Sequence, residues 1–491
     1  MKSIRLQSMT ILSVLGASLT FACTSEKIVY RSGTDFAAPP AAAASFVGYY
    51  DETNKQTVCG SCHVEKQVAW KATKHANAWA DLQANSGKAG YCEACHSVNN
   101  LGNAVTDTVA GYRSTKDARF HDVQCESCHG PGLAHASAPN ATNRPLASIK
   151  ADTNATNGCG ECHSGTHTPF AEEWKLSGHS QTWDTSHNST DPYCQGCHTG
   201  QGALLAWGKG GNYVEKNTTT AMLPATCATC HDPHGSPNTA QLRFSLGAAN
   251  LEDNLCIKCH QRRGTLQDAI AQGRNSVHSP EGPTLLGQAG WFPPGMSVSD
   301  SIIGTHGSSV KNPKLCATCH VQKFQGTDPT TKAAVFSTGH RFLATPCVGT
   351  NGLPLKDQTN CQVTAMTFRS CVAGGCHGTE TAARSAFTTA TARINNLVTQ
   401  ANNLIAQAKL GPKKAECTFA TTVPYSTCMG IQFNISVATK VGGVVHNPFL
   451  TEKLMLASIA QMQKDYNLAV SASLDMTPQF KKGHPTGEGS R

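Results

Sequence analysis

Residues 59–79 read CGSCHVEKQVAWKATKHANAW, and the chain returns to the same design over residues 159–183 as CGECHSGTHTPFAEEWKLSGHSQTW. Each copy opens with a CxxCH pentad. Each then places a tryptophan, a histidine five residues on, and a second tryptophan four further: Trp70, His75, Trp79 and Trp174, His179, Trp183. Two thiols separated by two residues can reach both vinyl groups of one haem, and the adjoining histidine is then held under the iron as an axial ligand. The downstream histidine is a candidate for an opposite axial position, on the same haem or another. If residues 64–82 are helical, Val68, Ala72, His75, Trp79 and Leu82 share one face, an apolar stripe against which a large flat cofactor would pack. The plain alternative is a satisfied buried histidine, and the echo at Leu176, His179 and Trp183 weighs against it.

The composition agrees with an interior filled by something other than side chains. Across 491 residues the chain is 39% hydrophobic and only 6% aromatic, thin for ordinary cores. Most of its 23 cysteines sit in pentads. A disulfide scaffold has no obligatory histidine neighbour, and zinc sites need four ligands from paired knuckles. The formal charge is +8 with Lys and Arg scattered, so no nucleic-acid partner is expected. Nine haems would add about eighteen propionate charges, which ferric irons offset by about nine.

In chain order, residues 1–22 read as a signal peptide, with Lys2 and Arg5 before an apolar run too short to span a bilayer. Residues 23–50 form a tether that begins at Cys23, a candidate for lipidation; the alternative is ordinary cleavage after Ala22. A first three-haem module spans 51–150, with Cys59, Cys62 and His63, then Cys92, Cys95 and His96, then Cys125, Cys128 and His129. A second spans 151–250, with Cys159, Cys162 and His163, Cys194, Cys197 and His198, and Cys227, Cys230 and His231. Tyr91 and Tyr193 stand directly before the two middle pentads. A two-haem region follows over 251–345, with Cys256, Cys259 and His260, and Cys316, Cys319 and His320. Between these, the Gly- and Pro-rich residues 281–307 are expected to be loop.

Residues 346–491 hold the least regular site. Cys371-Val-Ala-Gly-Gly-Cys376-His377 has four residues between its thiols, with Gly374 and Gly375 able to bend the loop outward. A ninth haem is expected there; the alternative places Cys371 in a disulfide. Phe387, Ala390, Ile394, Leu397, Ala401, Leu404 and Ala408 mark an amphipathic helix that stops at Gly411-Pro412, and a second runs from Pro448 to about Tyr466. The two should pack as an antiparallel pair. In an oxidising compartment Cys347 and Cys361, and Cys417 and Cys428, are candidate disulfides. The tail after Asp475 should be unstructured.

Nine proximal histidines leave twelve of the 21. His75, His135, His167, His179, His234, His278, His306, His340 and His446 are the nine candidate distal ligands, with His121, His187 and His484 left over. Met222 and Met296 are minor alternatives that would raise a potential. A fully six-coordinate set leaves iron no position for substrate.

The motifs at His167 to His179, Val123 to His135 and Cys230 to Gly235 resemble multihaem c-type cytochromes related to the tetrahaem cytochrome of ammonia oxidisers, and extracellular multihaem cytochromes of metal-reducing bacteria. The resemblance is strongest over residues 55–240. It implies a mainly α fold with extensive coil, in which short helices wrap a haem stack that serves as core. It also implies electron transfer to redox partner proteins or extracellular acceptors, in some relatives through an outer-membrane conduit or filament. No lysine-ligated CxxCK site occurs. The expectation is therefore an electron carrier with about nine haem c groups, exported to the periplasm or cell surface. Two alternatives stay open: an oxidoreductase acting on a small nitrogen or sulfur compound at one five-coordinate haem, and a subunit of a homo-oligomeric filament.

Overall fold

The computed structural model describes residues 36–151, 158–165, 168–183, 191–209, 222–296, 303–421, 425–440 and 442–480. The expected signal peptide, Cys23, His167, His187 and His484 lie outside these residues.

Most pentads are wound into single helical turns. Cys125–His129 and Cys316–His320 are α-helical, and Cys59–Ser61 and Cys159–Glu161 are 3-10 turns. Such a turn brings the two thiols onto one side, because residues three apart share a helix face. It is closed by a bond from the histidine amide to the first cysteine carbonyl: His63 to Cys59 and His163 to Cys159, each at 2.9 Å, and His260 to Cys256 at 3.1 Å.

The stretch after the first pentad is not one helix. It is helical over Val64–Lys71, breaks, and resumes at Ala78–Gln83. Thr73 causes the break by turning its hydroxyl back onto the Trp70 carbonyl at 2.7 Å, an alternative to helical bonding. Ser177 does the same to Trp174 at 2.7 Å in the second copy. Val68 and Leu176 are exposed, so the anticipated stripe is shorter than expected.

Hydrophobic clusters gather near the two ends of the chain. Ala43, Phe46, Val98, Ala110, Tyr112 and Phe120 form one near the N-terminal side. The other end is a helical bundle: Glu380–Leu410, Thr427–Thr439 and Pro448–Tyr466. The expected pair is thus a trio. The middle helix buries Cys428, Ile431, Phe433 and Val437, and it packs through Phe433 and Met429 against Leu266 and Ile270 of the Leu266–Ala271 helix. Met296 packs into this same cluster. Both expected disulfides are present, Cys347–Cys361 and Cys417–Cys428.

Two further expectations are corrected. Residues 281–285 are helical rather than loop, with Leu285 and Leu286 buried. Phe336 belongs to an antiparallel hairpin, Phe324–Thr327 with Ala334–Ser337. Residues 475–480 are held: buried Arg393 donates to the Asp475 and Thr477 carbonyls, and Glu452 accepts from the Gln479 and Phe480 amides. Among the described residues, no helix is long and apolar enough to cross a membrane.

Candidate haem-binding sites

Numbering the Cys–His motifs 1 to 9 along the chain, the structure brings histidine rings together two at a time. His63 of site 1 faces His135 at 6.5 Å between ring centres, and His129 of site 3 faces His234 at 6.1 Å. His163 of site 4 faces His75 at 6.1 Å, and His198 of site 5 faces His278 at 6.1 Å. His231 of site 6 faces His340 at 6.3 Å, and His260 of site 7 faces His179 at 6.2 Å. His320 of site 8 faces His446 at 6.2 Å, and His377 of site 9 faces His306 at 6.3 Å.

That spacing has a simple chemical meaning. Two imidazoles on opposite sides of one metal, each nitrogen about 2.0 Å from it and about 1.1 Å from its own ring centre, put the ring centres about 6.3 Å apart. Direct ring stacking is closer, as where His121 lies on Trp79 at 4.0 Å. Among the described residues, no group of three or more His, Cys, Asp or Glu side chains is arranged to hold a bare metal ion. The donor set therefore fits a planar group gripped from above and below.

The second ring of each pair seldom comes from the same segment as its pentad. His75, which follows the first pentad, faces the ring of site 4, and His179 in the second copy faces that of site 7. His234 reaches back to site 3, while His340 reaches back to site 6. Among the described residues, only His135 faces a pentad in its own repeat. His121, left over in the sequence, bonds Glu52 through Nδ1 at 2.8 Å. For His96 of site 2 the candidates His167 and His187 lie outside the described residues.

Backbone carbonyls orient the rings. His96 Nδ1–H donates to Ala78 O at 2.7 Å, and His198 Nδ1–H to Thr182 O at 3.0 Å, the equivalent position in the second repeat. His129, His231, His306 and His320 donate to Pro145, Ala240, Val445 and Phe342 carbonyls at 2.7–2.9 Å. An Nδ1–H held this way fixes the tautomer and leaves Nε2 free to ligate. Burial holds His75, His179 and His446 down at about 4, the neutral form a ligand requires. At His260 burial also lowers the affinity for protons, but the hydrogen bond that Nδ1–H donates to the Glu281 carboxylate, together with that group's charge, outweighs it and the net shift is upward.

Cys95 and His96 of site 2 and the paired rings and thiols of sites 4 to 9 line one continuous cavity of about 3230 Å³, which Cys128 of site 3 also borders. Its walls are rich in Cys, His, Ala and Phe. The ninth motif joins this system despite its spacing. Gly375, at φ +70°, turns the extra residues outward, and the His377 amide still bonds the Cys371 carbonyl at 3.2 Å. Cys371 is not in a disulfide.

The fold and its ligand pairs define a multihaem c-type cytochrome. Residues 58–130 match the family of cytochrome c554 and c-prime, and residues 222–265 match a doubled CXXCH motif. The chain is similar to the C-type polyheme cytochrome OmcB of Geobacter sulfurreducens, 25% identical over 55% of this chain and 36% of that one. It is likewise similar to the multiheme cytochrome MtrA of Shewanella baltica, 25% identical over 35% of this chain and 53% of that one. The chain thus spans about a third of OmcB and half of MtrA. In fold it is similar to the outer cell wall cytochrome OcwA, with TM-score 0.52, 19% identity, and coverage of 85% of this chain and 100% of that one. An undecaheme cytochrome from the S-layer of Carboxydothermus ferrireducens gives TM-score 0.50 at 20% identity, covering 87% of this chain and 70% of that one.

Proposed function

We propose that the chain carries nine haem c groups, most held between two histidines, and conducts electrons along them in the periplasm or at the cell exterior. The observation that carries this reading is the recurrent facing of histidine rings at the separation two axial ligands require. When bound, each haem supplies one-electron exchange at its iron, at a potential set by axial ligands, hydrogen bonding and burial. The protein holds each ring neutral and oriented, and it excludes water from the cavity that the sites share.

The ninth haem is supported by the backbone closure from His377 to Cys371, the bond the CxxCH pentads also make, and by the facing of His377 and His306. An oxidising location is supported by the two disulfides and by the N-terminal signal pattern. Electrons then pass to redox partner proteins or extracellular acceptors. Intact-mass measurement should give the polypeptide plus nine haems, and electron paramagnetic resonance of the oxidised protein should show almost no high-spin ferric iron. One high-spin iron per chain that responds to nitrite, hydroxylamine or nitric oxide would replace this reading with a catalytic one.

A further inference from the structure

We infer that Glu281 and Glu173 are positioning residues that set two potentials: acting through His260 and His340, they hold the haems of sites 7 and 6 lower than histidines backed by carbonyls would. This rests on the nine-haem reading above and deepens it, because it ties a difference in potential to what lies behind particular rings.

An axial imidazole turns Nε2 to the iron and Nδ1–H to the protein. A carbonyl behind Nδ1–H fixes the ring. A carboxylate there also draws the proton away, makes Nε2 a stronger electron donor and favours ferric iron. His96, His129, His198, His231, His306 and His320 all rest on backbone carbonyls.

At site 7 the acceptor is a carboxylate. His260 Nδ1–H donates to Glu281 Oε2 at 3.2 Å, and the Glu281 side chain is only 15% exposed. The contact is clamped from the other direction as well, since the Gly282 amide donates to the His260 carbonyl at 2.8 Å. A Cβ at residue 282 would stand 2.6 Å from Ile257 Cγ2 and 2.9 Å from that carbonyl, so the close approach needs glycine.

At site 6 a carboxylate acts through one hydroxyl. Buried Glu173, on the Phe170–Lys175 helix, accepts the Thr338 hydroxyl at 2.8 Å and the amides of Thr338 and His340 at 2.7 and 2.8 Å. With its proton committed to Glu173, Thr338 Oγ1 accepts from His340 Nδ1–H at 3.1 Å. Hydrogen bonds linked in this way polarise one another. Glu173 therefore both fastens the Thr338–His340 turn and backs the ring that faces His231.

Site 8 is built the opposite way. His320 rests on the Phe342 carbonyl at 2.9 Å, and buried His446 Nδ1 has no hydrogen-bond partner among the described residues. At site 3 Asp232 stands 3.5 Å from His234 Nδ1, but its other oxygen accepts from Arg243 at 2.9 Å, which offsets its charge.

Redox titration of the loaded, full-length protein, followed by its haem absorbance, tests the assignment. Thr338→Val removes the hydroxyl without changing any charge and leaves both amide bonds to Glu173. It should raise one potential, with no added high-spin iron in electron paramagnetic resonance, and Thr338→Ser should titrate as the native protein does. Glu281→Gln keeps a carbonyl acceptor for His260 and should likewise raise one potential. An unshifted or lowered potential in Thr338→Val, or a Thr338→Ser shift equal to it, overturns the role of Glu173; an unshifted or lowered potential in Glu281→Gln overturns that of Glu281. Should Thr338→Val not fold, Glu281→Gln decides alone. Intact mass keeps the two readings apart: fewer than nine haems on the native chain counts against the nine-haem reading, whereas unshifted potentials in fully loaded variants overturn this inference only.

Discussion

His75 and His163 face each other with ring centres 6.1 Å apart, although one follows the first pentad and the other closes the fourth. His75→Ala should therefore create one high-spin ferric haem, and that haem should be the one attached at Cys159 and Cys162. His75→Met should keep the iron six-coordinate and raise one potential in a redox titration. A change confined to the haem at Cys59 and Cys62 would contradict the pairing.

The two tryptophans should respond alike. Trp70→Phe and Trp174→Phe keep the ring but remove the N–H that bonds Val123 or Ala225. Each leaves a carbonyl without its partner, at a cost of about 1 kcal/mol. Thermal unfolding of the two variants should show similar, modest losses.

Glu126 gives the protein an unusual pH response. Its buried carboxylate accepts the amides of Val47, Gly48 and Gly132, yet burial outweighs these bonds and raises it to about 7 from 4.5. The folded state then binds more protons than the unfolded between those values. This contribution to stability is complete below about 4.5 and is lost as pH rises through about 7. The difference in melting temperature between the native protein and Glu126→Gln should shrink or reverse across that window as pH rises. A difference that grows with pH would mean that the carboxylate is held ionised.

Arg393 and Glu452 form an ion pair at 2.8 Å, their side chains only 5% and 2% exposed. Removing one partner strands the other's charge, so Glu452→Ala should destabilise the C-terminal bundle by about 3–5 kcal/mol. It should also free residues 475–480 for proteolysis, since Glu452 accepts the Gln479 and Phe480 amides. Urea unfolding and limited digestion would check the two effects separately.

What the sequence made legible was local. A pentad states its chemistry in five residues, and the Glu380–Leu410 helix shows its buried side at Ile394, Leu397, Ala401 and Leu404. The Thr427–Thr439 helix went unseen because it is buried on nearly every side, and a helix without a polar face has no amphipathic period to read. Candidate second histidines could be named from their neighbours, but the partner of each could not. The meeting of His129 with His234, or of His320 with His446, depends on how distant segments cross, which no spacing encodes. The tail at residues 475–480 was misread for the same reason, its anchors Arg393 and Glu452 lying on helices far upstream.

The crossing of histidines between repeats also bears on how such a chain can change over generations. Because His75 completes a pair in the second repeat and His234 one in the first, cutting out either triplet would orphan rings in the other. The copied segment and the self-sufficient segment have different borders. A lengthened descendant must acquire new ring partners at the seam along with its new pentads, so growth of the conductor is a matter of resewing rather than of adding beads.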